Sequence, residues 1–131
     1  MPKESLLENR IKGVKVALKG ALLLLKTENS IKVQFGIAIL VTIAGFVFKI
    51  SNTEWAIQLL AIGLVMSIEG LNTAIEKIAD YVQPNFDEKI GFLKDIAAGA
   101  VMIASIIAII VGCIIYVPKI IALTSVSGTH P

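Results

Sequence analysis

The sequence predicts an all-α integral membrane protein, with an N-terminal amphipathic helix on the membrane surface followed by three transmembrane helices. Three observations carry that reading. Of 131 residues, 56% are hydrophobic and 17% charged, and the mean hydropathy is +0.83. Residues 96–117 form a run of 22 without a charge, ample for a hydrocarbon core of about 30 Å at roughly 20 residues per helical span. Residues 33–48 and 55–68 add two further uncharged stretches of 16 and 14 residues.

Residues 1–27 have their own pattern. Leu7, Ile11, Val14, Leu18, Ala21 and Leu25 recur at three- and four-residue steps, with Arg10, Lys12, Lys15, Lys19 and Lys26 mostly between them. That spacing predicts a basic amphipathic helix on the cytoplasmic leaflet. Two roles stay open for it, an anchor to anionic headgroups and a part in holding a substrate. No signal peptide is expected, because the first 32 residues are polar and Leu22 to Leu25 are bracketed by Lys19 and Lys26.

The first span is placed at 29–50. The second, 53–82, is apolar only as far as Ile68 and must use the polar half after Glu69 to leave the membrane. The third span, 95–117, is opened by Lys94 and Asp95, and residues 119–131 read as a flexible tail. Lys3, Arg10, Lys12, Lys15, Lys19, Lys26 and Lys32 precede the first span, and Lys77, Lys89 and Lys94 surround the second connection, leaving only Lys49 and Lys119 on the other side. The positive-inside rule therefore puts the N-terminus and the 83–94 loop in the cytoplasm, and the 50–54 loop and C-terminus outside. Trp55 and Tyr116 then fall at the outer interface and Tyr81 at the inner one. The net charge of +2 follows from this topology and points to no nucleic-acid partner.

Several features have plain structural readings. Ala100, Ala104, Ala108 and Gly112 form a stripe of small residues that lets helices approach closely. Cys113 is a small packing residue, and His130 is not expected to bind a metal.

The polar half of the second span is different. At 100° per residue, Glu69, Asn72, Glu76 and Asp80 fall within about 80° of one another on a helix. Ionisable groups within a span face a bundle interior or an aqueous cavity and mark a functional site by default. For a helix starting near Thr53 at the outer side, Glu76 lies roughly 35 Å along it, near the inner boundary, and Glu69 about 10 Å deeper. Glu28, Lys94 and Asp95 share the inner level. Glu28 and Glu76 together suit Mg²⁺, which takes one or two protein carboxylates and completes its octahedron with phosphate oxygens and water. Lys94 would neutralise phosphate charge, and Glu69 would accept a proton from a lipid hydroxyl. Simpler roles exist for most of these groups: a helix cap for Asp95, an interfacial acid at Glu28, an ion pair of Glu76 with Lys77 of a neighbour or with Lys94, and solvation of Asp80. Glu69 has no such role. A cation or proton pathway lined by Glu69, Glu76 and Asp80, or a structural assembly factor, are the non-enzymatic readings.

The chain resembles the prokaryotic diacylglycerol kinase family, which includes the undecaprenol kinases. The resemblance rests on Glu69-x-x-Asn72-x-Ala74-Ile75-Glu76 followed by Asp80, on Lys94-Asp95-x-Ala97-Ala98-Gly99-Ala100-Val101, and on the 18-residue spacing from Glu76 to Lys94. Ala17-x-x-Gly20, Glu28-Asn29, Glu54-Trp55 and Pro118-Lys119 extend it over most of the chain. It implies an ATP- and Mg²⁺-dependent lipid kinase of the bacterial inner membrane, working as a homotrimer with sites between subunits. Glu69 would be the base, Glu28 and Glu76 the metal ligands, Asn72 and Asp80 supporting residues, and Lys94 and Asp95 nucleotide contacts. Diacylglycerol is the expected acceptor, giving phosphatidate, with undecaprenol as the alternative. Val16 and the Phe92-Leu93 pair depart from the family pattern, so no nucleobase contact is carried over.

Overall fold

A computed structural model describes residues 5–128 as four helices: α1 Leu6–Thr27, α2 Asn29–Val47, α3 Asn52–Val82 and α4 Glu88–Ser127. Helices α2, α3 and α4 are each long and apolar enough to cross a membrane. His130 lies outside the described residues.

Local chemistry explains the boundaries. Ser5 and Glu8 close a capping box on α1, and Ser51 and Glu54 close another on α3, each pairing first-turn N–H groups that have no partner inside the helix. Glu28 alone separates α1 from α2. Its backbone is extended (φ −102°, ψ 115°), and it still closes a bond on each side, donating its N–H to Leu24 and accepting from the Lys32 N–H.

Helix α2 stops at Val47, three residues short of the expected span end. The Ile50 N–H returns to the Gly45 carbonyl and the Lys49 N–H to Phe46, with Lys49 in the left-handed region at φ 51°. This is a Schellman stop, normally given to glycine because a Cβ is strained there. Ile50, 6% exposed, folds back over Gly45 and holds the turn.

Helix α4 differs most from expectation. It begins at Glu88, not Asp95, because the Asp87 carboxylate accepts from the N–H groups of Lys89 and Ile90 at 2.9 and 3.1 Å. The cap weighed for Asp95 therefore belongs to Asp87. Charge at Lys94 and Asp95 signals a change of surroundings, but a helix starts where its first N–H groups are satisfied. At the other end the segment after Lys119, expected as a flexible tail, is helical to Ser127, and Pro118 lies within the helix. Proline removes one backbone bond, a loss that spanning helices tolerate when other groups supply local polar partners. The carbonyl left without its backbone donor is that of Ile114, and one residue on Lys119 Nζ donates to the Ile115 carbonyl at 3.1 Å.

Helices α3 and α4 form the main antiparallel pair, with α2 packed chiefly on α3 and α1 on α2. Ala97 and Ala104 are buried, and Ala108 and Gly112 are half-buried. Ala100, by contrast, is exposed, so the four-residue stripe only partly coincides with the packed face. At the α2–α3 turn Trp55 lies against Phe46, ring centroids 4.9 Å apart, and over Gly45. A Cβ on Gly45 would stand 2.6 Å from Trp55 Cη2 and 2.7 Å from Cζ2.

Gly45→Ala is therefore expected to destabilise the protein by about 1–3 kcal/mol through overpacking. Thermal denaturation in detergent checks this, and an unchanged midpoint would show that the indole shifts freely.

Candidate active site

The acidic stripe on α3 is graded in burial. Glu69 and Asn72 are each 8% exposed, with Thr73 buried beside them, whereas Glu76 and Asp80 are exposed. A helix running from an apolar bundle into an open end produces this gradient directly.

Glu69 is met from α2. Gln34 Nε2 donates to Glu69 Oε2 at 3.4 Å, across 35 residues of sequence. Gln34 Oε1 is buried and has no hydrogen-bond partner. One turn along α3, Asn72 Nδ2 donates to Glu76 Oε1 at 3.3 Å, and Asn72 Oδ1 is also buried without a partner. The inner part of the bundle therefore holds two amide oxygens available to accept. Buried polar atoms are nearly always paired, so such exceptions call for an explanation.

The end of α1 closes over the same region. Leu24 is half-buried, and its Cδ1 lies 3.0 Å from where a Cβ on Gly70 would stand. The next residues bring Glu28 to α3, where Lys77 Nζ lies 3.2 Å from Glu28 Oε1. Glu28 thus reaches the turn that carries Glu76, as the depth argument requires. Its partner is the neighbouring lysine of the same chain, and Glu76 takes its hydrogen bond from Asn72. Glu76 does not pair with Lys94, which pairs instead with Asp80. Asp95 is exposed one residue further on α4.

The structure therefore joins Gln34 with Glu69, Asn72 with Glu76, Glu28 with Lys77, and Lys94 with Asp80. Among the described residues no group of three or more acidic, histidine or cysteine side chains could hold a metal ion. The sequence-expected donors, Glu28 and Glu76, are only two carboxylates, on adjoining elements. That set fits Mg²⁺ held jointly with substrate phosphates better than a metal held by protein alone.

At the opposite end a second polar cluster spans three helices. The Tyr116 hydroxyl donates to Gln58 Oε1 at 2.5 Å and lies 3.0 Å from the Val41 carbonyl oxygen, which also accepts from Gln58 Nε2 at 3.2 Å. Lys119 pairs with Glu54 at 2.6 Å. Tyr116, expected as an interfacial aromatic, turns its hydroxyl between the helices. Gln58–Tyr116 and Asp80–Lys94 lie 22 residues apart on both α3 and α4, so the register is constant along the pair. By that register Ser105 is level with Glu69. A cleft of about 320 Å³ between α2, α3 and α4 runs from Gln34 past Val65 and Ser105 to Gln58 and Tyr116.

Sequence reasoning missed Gln34, Gln58 and Ser105. A signal for the first was present: Gln34 and Thr42 are the only side chains with polar groups between Val33 and Phe48, and Thr42 bonds the Ala38 carbonyl of its own helix.

A profile of the family described as prokaryotic diacylglycerol kinase matches residues 15–116. The chain is 38% identical over 95 residues to the undecaprenol kinase of Bacillus subtilis, covering 72% of this chain and 77% of that protein. It is 30% identical over 116 residues to the diacylglycerol kinase of Synechocystis, covering 88% of this chain and 66% of that protein. Over 52 residues it is 44% identical to the diacylglycerol kinase of Escherichia coli K12, covering 40% and 43% respectively.

Tyr116→Phe should lower stability by about 1–3 kcal/mol, because Gln58 Oε1 loses its donor inside the bundle, and should leave phosphoryl transfer by the folded fraction intact. Paired melting and activity measurements check this, with an undiminished melting temperature as the contrary result.

Proposed function

This chain belongs to the prokaryotic diacylglycerol kinase family and is a lipid kinase; we propose that it transfers the γ-phosphate of ATP, with Mg²⁺, to the hydroxyl of a membrane lipid alcohol at the cytoplasmic face. Undecaprenol is the acceptor that the 38% identity to the Bacillus subtilis undecaprenol kinase favours. Diacylglycerol, the acceptor expected from the sequence, is the second reading, supported by the match to the Synechocystis diacylglycerol kinase over 88% of the chain.

The observation that carries the reading is the gradient along α3. A carboxylate buried at Glu69 lies below a second, solvent-facing carboxylate at Glu76. The first would meet a hydroxyl carried by a lipid, the second a water-soluble nucleotide. Glu69 takes the hydroxyl proton as the lipid oxygen bonds the γ-phosphorus, while the bond to ADP breaks and its electron pair leaves with ADP. Glu28 and Glu76 would hold Mg²⁺, whose charge would offset that of the phosphates. Lys94 would leave Asp80 for a phosphate oxygen, with Asp80 orienting it until then. Asp95 would contact the nucleotide, and Asn72 would support Glu76. Because phosphoryl transfer depends mostly on positioning and charge stabilisation, so small a set of side chains suffices. A cation or proton pathway would not account for the match to a family of lipid kinases.

We assign α1 to the surface of the cytoplasmic leaflet, with its lysines toward anionic headgroups, and the working unit to a homotrimer. Exposed apolar side chains along α1 support the first, including Leu7, Val14 and Leu18 at 69%, 67% and 61%. Lateral apolar faces on the spanning helices are compatible with the second.

Phosphorylation by the purified protein in mixed micelles, with undecaprenol and diacylglycerol offered separately, tests the acceptor. Glu69→Gln is expected to abolish turnover while MgATP still binds; loss of binding as well would move Glu69 into the metal shell. Glu28→Gln and Glu76→Gln should each weaken Mg²⁺-dependent nucleotide binding, and a normal titration in either would remove that residue from the site. Mixed trimers of Glu69→Gln and Glu28→Gln subunits should regain activity if sites span two subunits. No recovery in verified mixtures would put each site within one chain.

A further inference from the structure

Gln34 has no part in the phosphoryl transfer proposed for the acids and Lys94. It comes from α2, the helix that carries no acid, and its amide is divided: Nε2 is given to Glu69 and Oε1 is buried without a partner. It also lines the inner part of the apolar cleft between α2, α3 and α4. A side chain whose task was only to neutralise Glu69 would be better served by a cation, and one whose task was only to fill space would be apolar.

We infer that Gln34 is the positioning residue that holds Glu69 through its change of protonation during phosphoryl transfer. The inference rests on Glu69 being the base. In the resting site the base is a carboxylate, an acceptor only, and needs a donor; Gln34 Nε2 supplies it. When the lipid oxygen bonds the γ-phosphorus and ADP departs with the electron pair of the broken bond, the hydroxyl proton resides on Glu69. The base is then a carboxylic acid whose O–H needs an acceptor. A half-turn of the Gln34 amide about its last torsion exchanges Nε2 for Oε1 and supplies that acceptor. When Glu69 returns the proton to solvent, the amide turns back. A primary amide carries two donors and a two-lone-pair acceptor on one rotating group, which neither lysine nor an aliphatic side chain provides. The unpartnered Oε1 is, on this account, the acceptor held ready for the protonated state. Asn72, the other amide beside the stripe, already gives its nitrogen to Glu76, so it is not the group placed on Glu69.

The test compares the full-length protein with Gln34→Met, which keeps length and removes both functions, Gln34→Lys, which keeps donation only, and Gln34→Asn, which draws the amide back by one methylene. Hydrogen bonds to charged groups correspond to about 10- to 100-fold in rate when removed. Gln34→Met and Gln34→Lys should therefore lose that much in kcat, with KM for MgATP and for the lipid alcohol nearly unchanged, and Gln34→Asn should fall between them and the native protein. Infrared difference spectra on ATP turnover should show a carboxylic-acid carbonyl band that vanishes in Glu69→Gln and shifts to higher frequency in Gln34→Met, where the acid has lost its partner. A native kcat in Gln34→Met, or in Gln34→Asn should the methionine variant fail to assemble, overturns the inference while leaving Glu69 as base. A Glu69→Gln protein that still turns over would instead overturn the reading of Glu69 itself.

Discussion

The constraint on which this bundle depends is the burial of one carboxylate. Glu69 sits on α3 at 8% exposure, among helices whose other inward side chains are mostly aliphatic. An isolated ion in such surroundings is costly, so neighbouring groups must answer it. The answer comes from Gln34 on another helix, which makes the α2–α3 packing part of how the acid is held. Beside the acid, Gly70 has only hydrogen where a Cβ would press on Leu24, and this lets the end of α1 close over the same level. Two helices thus converge on α3 where its sequence turns from apolar to polar.

Holding that convergence in place falls to features at the bundle's two ends. The Gln58–Tyr116–Val41 cluster ties α2, α3 and α4 at one end, and Asp80–Lys94 ties α3 to α4 at the other. The two ties do different work. Gln58 is buried, so its bonds are expensive to lose. Asp80 and Lys94 are largely solvent-facing, and such pairs contribute only about 0–1 kcal/mol. One end of the α3–α4 pair is therefore fixed, whereas the other, where we propose that the nucleotide enters, is held by an ion pair of the kind that contributes little stability.

Much of this was legible in the sequence, and the reasons can be traced residue by residue. The three spanning helices follow from long uncharged runs. Helix α1 ends at Thr27, where the pattern of Leu18, Ala21 and Leu25 stops. Glu69 stands out in the sequence because an acid within an apolar helix has no ordinary explanation, and it shares a face with Asn72, Glu76 and Asp80 because helical geometry is regular. What escaped was of two kinds. The true start of α4 depended on an Asp87 cap in a loop that carried no apolar pattern, and its continuation to Ser127 passes through Pro118, a residue that ordinarily interrupts a helix. Gln34 and Gln58 act through partners on other helices, and a single sequence does not show which helices touch.

The one-residue junction at Glu28 has a mechanical consequence. Helices α1 and α2 are joined by a single extended residue, so little more than one pair of backbone torsions separates the axis of one from that of the other. Any change in the tilt of α1 must pass through those torsions and swing the carboxylate they carry. With α1 on the leaflet surface, as proposed, bending or lateral compression of that surface would be geared to the position of the Glu28 carboxylate, as a lever is geared to its fulcrum.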